Sequence, residues 1–229
     1  MDLGLMCANI AKLWTNYWHI YLIEGVLTTL KLTVFAVVLG ALLGVVVAML
    51  KMSKSKIIRF LITAYIEIIR GTPLLLQLML FYFVLPELIP VFDFSEFTWV
   101  AIALCINSSA YVSEIFRSGI QSVDKGQTEA ARSLGLSSRQ TMLRIVMPQA
   151  IKNILPAIGN ECIALLKETS VAGYVAVVDV TKAATNIRNK TYDAVNPIIL
   201  LALIYLVMVV VMTWLLAKLE RRLRRSDGK

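Results

Sequence analysis

Residues 194–217, AVNPIILLALIYLVMVVVMTWLLA, contain no charged side chain. The run exceeds the ~18 apolar residues that mark a helix able to cross a bilayer. Residues 32–50, LTVFAVVLGALLGVVVAML, are also free of charge. Two such runs give an all-α integral membrane protein, because a helix satisfies its own backbone polar groups in lipid. The whole composition agrees. The 229-residue chain is 58% hydrophobic and 17% charged, with mean hydropathy +0.74, whereas soluble domains are about 45–50% apolar and about 25% charged. A soluble enzyme, a disulfide scaffold and a disordered tail are excluded. Cys7, Cys105 and Cys162 are scattered, and His19 is the one histidine, so no metal site is expected. The N-terminus lacks a basic region ahead of its first apolar stretch, so no cleavable signal peptide is expected.

Working outward, five candidate spans emerge within one transmembrane domain (1–229): 26–50, 60–85, 97–116, 153–178 and 194–217. The fourth is the weakest by hydropathy, since Glu161, Lys167 and Glu168 interrupt it. Charge bias supports it. Sixteen of the 23 Lys and Arg residues follow the first, third and fifth spans. Lys/Arg-rich loops face the cytoplasm, which requires five crossings with the N-terminus outside and the C-terminus inside. The net charge of +8 is thus a topology signal, and no nucleic-acid partner is expected from it. Trp14, Tyr17, Trp18, Tyr21 and Trp99 suit an outer aromatic belt or plain packing. Ala36, Gly40, Gly44 and Ala48, four residues apart, suit close helix packing, including packing against a second copy of the chain.

The largest polar segment is 117–152. Residues 127–134 read as a short helix, Gly135 as its left-handed cap, and Ser137-x-x-Gln140 as a capping box opening a second helix, with Pro148 beyond it. This helix-turn-helix sits between two spans, where a docking loop explains it better than DNA binding does.

Glu129-Ala130-Ala131, three residues, Gly135, nine residues, then Ile145-Val146-Met147-Pro148 resembles the EAA loop of importer-type ABC permeases, with Met147 in place of the usual Leu. Residues 70–78 (RGTPLLLQL), 110–117 (AYVSEIFR), 119–127 (GIQSVDKGQ) and 165–170 (LLKETS) are similar to the polar amino-acid branch of that family, which takes up histidine, glutamine, glutamate or arginine. The resemblance implies a half-permease in a prokaryotic cytoplasmic membrane, paired with a second copy or a sister permease. It further implies an extracytoplasmic solute-binding protein and a cytoplasmic ABC ATPase dimer docked through Glu129, Ala130, Ala131 and Gly135. The chain has no Gly-x4-Gly-Lys-[Ser/Thr] loop, so it is not expected to be an enzyme. It needs no cofactor of its own, and ATP and Mg belong to the ATPase.

Ionisable groups inside spans mark a pathway or a structural pair. Asn107, Tyr111 and Glu114 form one polar stripe on the third span. Asn160 and Glu161 follow Pro156 and Gly159, where a helix break is expected, and Thr72-Pro73 with Gln77 offers another. Substrate contact is therefore expected from Glu161, Asn160, Asn107, Tyr111, Gln77, Thr72 and Glu114. The structural alternatives are a Glu114–Arg117 pair, a Glu67–Arg70 pair, and partners on other spans for Lys167 and Glu168. Two other functions stay open at this point: an ion-gradient secondary transporter and a membrane-tethered DNA-binding regulator.

Overall fold

The computed structural model describes residues 3–225 and is helical throughout, with no strand among those residues. The first helix is longer than its apolar run. α1 (Leu3–His19) passes through a π-helical segment (Ile20–Val26) directly into α2 (Leu27–Lys51). The aromatic cluster expected ahead of the first span thus lies on the helix itself. The chain stays helical there because Tyr21 and Leu13 are buried against later elements, which outweighs the propensity cost of Gly25.

The second apolar run is broken. α3 (Lys56–Gly71) stops before Thr72-Pro73, and α4 (Leu74–Met79) leaves with π-helical residues Leu80–Val84 and α5 (Leu85–Leu88) at 105° to it. Proline has no N–H, and it drives the preceding residue out of the helical region. Thr72 accordingly is extended (φ −116°, ψ 147°).

α6 (Glu96–Gln121) is the central helix. Gly40 and Gly44 of α2 lie flat against it. A Cβ on Gly40 would stand 2.7 Å from Ser108 Cβ, and one on Gly44 2.6 Å from Val112 Cγ1. The small-residue stripe of α2 therefore serves packing inside the chain. Gly119 of α6 meets Ile154 of a later helix just as closely.

After α6 come α7 (Lys125–Ser133), the turn at Gly135 and α8 (Ser138–Thr141). α8 does not end before Pro148. It continues through π-helical Met142–Val146 into α9 (Met147–Glu168) as one unbroken helix. Pro148 thus lies inside this continuous helix, directly after its π-helical segment Met142–Val146, and removes one donor without ending the helix. Pro156 lies inside α9 without breaking it. The expected fourth span ends differently from a straight crossing: Thr169–Val175 is a 3-10 turn, closed by Ala176 at φ 72°. An additional helix, α10 (Val180–Thr191), precedes α11 (Asn196–Arg225). Among the described residues, three helices are long and apolar enough to cross a membrane, or four if the bent pair counts as one span; α9 is not among them.

Two apolar clusters hold the bundle. Leu32, Leu78, Val100, Leu104, Leu165 and Val175 join α2, α4, α6, α9 and the 3-10 turn. Tyr21, Val180, Ala184, Ile187 and Leu200 join the first helix, α10 and α11. Leu203, Leu206, Val207, Val210, Val211 and Trp214 of α11 remain exposed. An apolar surface of that extent is compatible with lipid and not with water.

Candidate functional site

The break in the second run has a built closure. Helix α3 ends with carbonyls that have no intrahelical partner. Thr72 Oγ1 donates to the Ile68 carbonyl at 2.8 Å. The Gln77 amide nitrogen, reaching back from α4, lies 2.7 Å from the Ile69 carbonyl, 3.1 Å from that of Thr72 and 2.9 Å from Thr72 Oγ1. Its oxygen accepts from Asn107 Nδ2 of α6 at 2.9 Å. Gln77 and Asn107 are both buried. Tyr65, one turn and a half earlier on α3, donates to the Ile106 carbonyl at 3.0 Å and bonds Ser109 Oγ at 2.6 Å. The end of α3 is therefore fixed to α6 by polar contacts, as suits a medium that offers no water to exposed backbone.

Charge gathers at the same place. The Arg70 guanidinium lies over the Tyr111 ring, 5.2 Å from its centroid. It is also within electrostatic reach of Glu161 on α9, which is partly buried and feels Glu168 as well. The structure thus brings Thr72, Gln77, Asn107 and Tyr111 around the α3 break, with Glu161 of α9 within electrostatic reach of Arg70. Asn160 is exposed. Glu114 is engaged elsewhere: Lys51 Nζ at the end of α2 lies 2.5 Å from its Oε1, and Arg117 Nε and Nη2 donate to its Oε2 at 2.9 and 2.7 Å. The Lys51–Glu114 pair ties α2 to α6, while the two Arg117 bonds to one carboxylate oxygen lie within α6. Glu67 and Arg70 form no ion pair, nor do Lys167 and Glu168, and the Lys51–Glu114–Arg117 cluster holds every ion pair among the described residues.

Arg70 is the main member the sequence reading assigned elsewhere. Its signal was a cation within an apolar run, two residues before a Thr-Pro break. Asp179 is a second omission. It is fully buried and caps α10, with Oδ1 accepting from Lys182 N at 2.8 Å. Its Oδ2 lies 3.4 Å from the Tyr205 hydroxyl, and the neighbouring Val180 N–H reaches Thr29 Oγ1 at 3.3 Å. Only the buried cap, invisible in one dimension, sets Asp179 apart from an ordinary loop acid.

The polar helix-turn-helix follows its local signals closely. Gly135 has φ +86°. Its N–H reaches the Arg132 carbonyl at 3.0 Å, and Leu136 N–H reaches that of Ala131 at 3.1 Å, the pair of bonds that defines a Schellman motif. Both halves of the Ser137–Gln140 capping box are formed, at 3.3 and 2.9 Å. Glu129, Ala130 and Gly135 are exposed, as is Leu134 at 82%, whereas Ala131 is buried and packs inward.

A lipid-facing helical bundle, a polar break inside it and a rigid polar helix pair at one end define a membrane transport component. The chain belongs to the family described as binding-protein-dependent transport system inner membrane component, which it matches over residues 36–225. It is 41% identical over 207 residues to the arginine transport system permease protein ArtQ of Bacillus subtilis (strain 168), covering 90% of this chain and 94% of that protein. It is 41% identical over 214 residues to the nopaline transport system permease protein NocM of Agrobacterium fabrum (strain C58), covering 90% and 85%. Among solved structures, the crystal structure of an amino acid ABC transporter with histidines superposes with TM-score 0.85 at 46% identity, covering 91% of this chain and 96% of that one. The chain is therefore a translocation subunit of an ABC importer with no ATPase motif of its own, a reading these likenesses favour over a secondary transporter or a DNA-binding regulator. Membership implies a partner ATPase and a binding protein.

Proposed function

We propose that this chain forms the translocation path for a polar or charged L-amino acid. The observation that carries the proposal is Arg70 over the Tyr111 ring beside the α3–α4 break, with Glu161 within its electrostatic reach. A zwitterion needs opposite charges a few ångströms apart, and Glu161 suits an α-ammonium or a cationic side chain while Arg70 suits a carboxylate. The relatives carry names of arginine and nopaline transport, consistent with such cargo. Within this site Glu161 and Tyr111 make substrate contact. Thr72, Gln77 and Asn107 shape the pocket wall through their mutual bonds. Asn160 and Glu114 belong to the original candidate set but stand apart from this centre.

The working topology has five crossings in a prokaryotic cytoplasmic membrane, N-terminus outside and C-terminus inside, with α9 as the fourth crossing. The permease pairs with a second copy or a sister chain. The α7 surface around Glu129, Ala130, Ala131 and Gly135 docks an ATPase dimer that binds ATP and Mg. The Schellman turn and capping box support this, since a rigid helix pair transmits rigid-body motion. The test is uptake in proteoliposomes holding permease, ATPase and binding protein, surveyed across the amino acids. Glu161→Gln is expected to lower uptake with assembly intact. Unchanged uptake removes Glu161 from the path, and uptake that persists without the ATPase overturns the proposal.

A further inference from the structure

A cavity of about 670 Å³ opens between the end of α6, α7 and α8, within the size range of about 300–1,000 Å³ typical of ligand sites. Lys125 and Arg132 line it, with Ser138 and Thr141 beside them and apolar side chains such as Ile120 and Val146 on another wall; no acidic residue lines it. Neither cation joins an ion pair among the described residues. Arg132 gives one nitrogen to the Leu136 carbonyl at 2.7 Å, and a guanidinium has further donors.

Thr141, on the same wall, takes no part in binding. It is 2% exposed, and its hydroxyl has no hydrogen-bond partner. A helical threonine usually bonds the carbonyl four residues back, as Thr33, Thr185, Thr191 and Thr213 do here. Thr141 does not, and it stands in the wall of a cationic cavity. Its oxygen is closed off from the cavity, just as the equally unpartnered Ser108 hydroxyl is buried elsewhere, so the two cations, and not Thr141, supply the polar binding groups of this cavity.

Depth decides the ligand. The ion cluster at Glu114 and Arg117 marks the end of the apolar part of α6. Ile120 lies three residues on, about 5 Å along the helix, within a headgroup layer roughly 5–8 Å deep. The cavity uses the Lys125–Thr128–Arg132 stripe of α7, while Ala130 and Leu134 point the opposite way by helical phase. The surface assigned to the ATPase therefore faces away from the cavity at Ala130 but borders it at Glu129, four residues from Lys125 and three from Arg132. Cations beside an apolar wall at that depth match a phospholipid, whose phosphate and acyl chains present both characters.

We infer that this cavity binds the phosphate headgroup of an anionic phospholipid of the cytoplasmic leaflet. The inference rests on the cytoplasmic placement of the α7–α8 turn proposed above. The experiment is native mass spectrometry of the full chain in detergent with equal amounts of phosphatidylglycerol and phosphatidylcholine. Wild type is expected to retain phosphatidylglycerol selectively. Lys125→Gln with Arg132→Gln is expected to lower that retention roughly tenfold, with phosphatidylcholine retention and the melting temperature unchanged. Lys125→Arg with Arg132→Lys restores it. Thr141→Val, which keeps the shape and removes only an inaccessible hydroxyl, leaves it unchanged. Arg139→Gln with Arg144→Gln, outside the cavity, leaves it intact.

The inference is overturned by an undiminished signal in the Lys125→Gln, Arg132→Gln variant or by an equal loss in the Arg139/Arg144 control. Competition by inorganic phosphate at lipid-like concentration would instead show a free-anion site, and displacement by purified ATPase a protein-docking site; either overturns it. Placement is read separately, by membrane-impermeant labelling of Ser137→Cys in a Cys7→Ser background in sealed cells. Outside labelling overturns the topology without touching the micelle result.

Discussion

Asn107 donates a hydrogen bond to Gln77 at 2.9 Å, joining two helices through residues 30 positions apart. The same Gln77 amide closes the end of α3. One side chain therefore satisfies the broken helix and anchors it to the central helix. Replacing Gln77 by Leu leaves buried carbonyls and the Asn107 amide unpaired, a cost of about 1–3 kcal/mol. Asn107→Leu is expected to cost less, about 1 kcal/mol, because membrane hydrogen bonds are modest and Gln77 keeps its backbone partners. Thermal unfolding of the two single variants and the double variant measures the coupling, and strictly additive losses contradict it.

Glu114 makes a contrasting case. Its carboxylate is held by Lys51 and Arg117, so Glu114→Gln leaves two cations facing each other. Loss of stability is expected, with the KM for amino acid in reconstituted uptake unchanged. A raised KM with normal stability would return Glu114 to the substrate path.

The α2–α6 contact permits no side chain at Gly44. Gly44→Ala places a methyl 2.6 Å from Val112 Cγ1 and 3.0 Å from the Ser109 carbonyl, and overpacking of this kind costs about 1–3 kcal/mol. Val112→Ala in the same chain is expected to recover part of the loss. Gly71 has no atom within 4 Å of a virtual Cβ, so Gly71→Ala serves as the harmless comparison for folding. Equal melting temperatures for the Gly44 and Gly71 variants would refute the contact.

At the other turn, Gly135 holds φ +86°. A β-branched residue there is strained by about 1–2 kcal/mol, and it tilts α7 relative to α8. Gly135→Val is expected to weaken ATPase co-purification and uptake together, while Gly135→Asn, which tolerates this backbone, retains most of both. Glu129→Lys is expected to weaken docking without altering the fold, as circular dichroism would show.

Stability also carries a pH signature. The Asn196 side chain, at 2.7 Å, and the backbone N–H groups of Val195 and Asn196, at 3.1 Å, hold the Asp193 carboxyl below its usual range. A carboxyl lowered in the folded state contributes stability above its unfolded value, and the contribution disappears as pH falls through the folded value. Wild type is therefore expected to exceed Asp193→Ala in melting temperature at neutral pH, with the gap closing in acid below the ordinary carboxylate range. A gap that widens in acid contradicts the assignment.

Local signals were the most legible. The Schellman glycine, the capping box and the Thr72-Pro73 break all depend on residues within a few positions of one another, and each appears where its residues stand. Pro156 shows the limit of such reading: inside α9 it interrupts nothing, because neighbouring helix packing outweighs one missing donor. α10 escaped notice because its buried face, Val180, Ala183, Ala184 and Ile187, is short and sits among polar residues.

Uncharged runs as long as residues 32–50 and 194–217 are enough to place the chain in a membrane, and the Gly135 and Ser137–Gln140 signals are enough to place its polar turn. Tertiary structure decided which polar residues meet. Asn107, Tyr111 and Glu114 share one stripe of α6, yet Asn107 turns to Gln77, Tyr111 to Arg70, and Glu114 to Lys51 and Arg117. Periodicity places a side chain on a face. What that face touches is set by how closely small residues such as Gly40 and Gly44 let the helices approach.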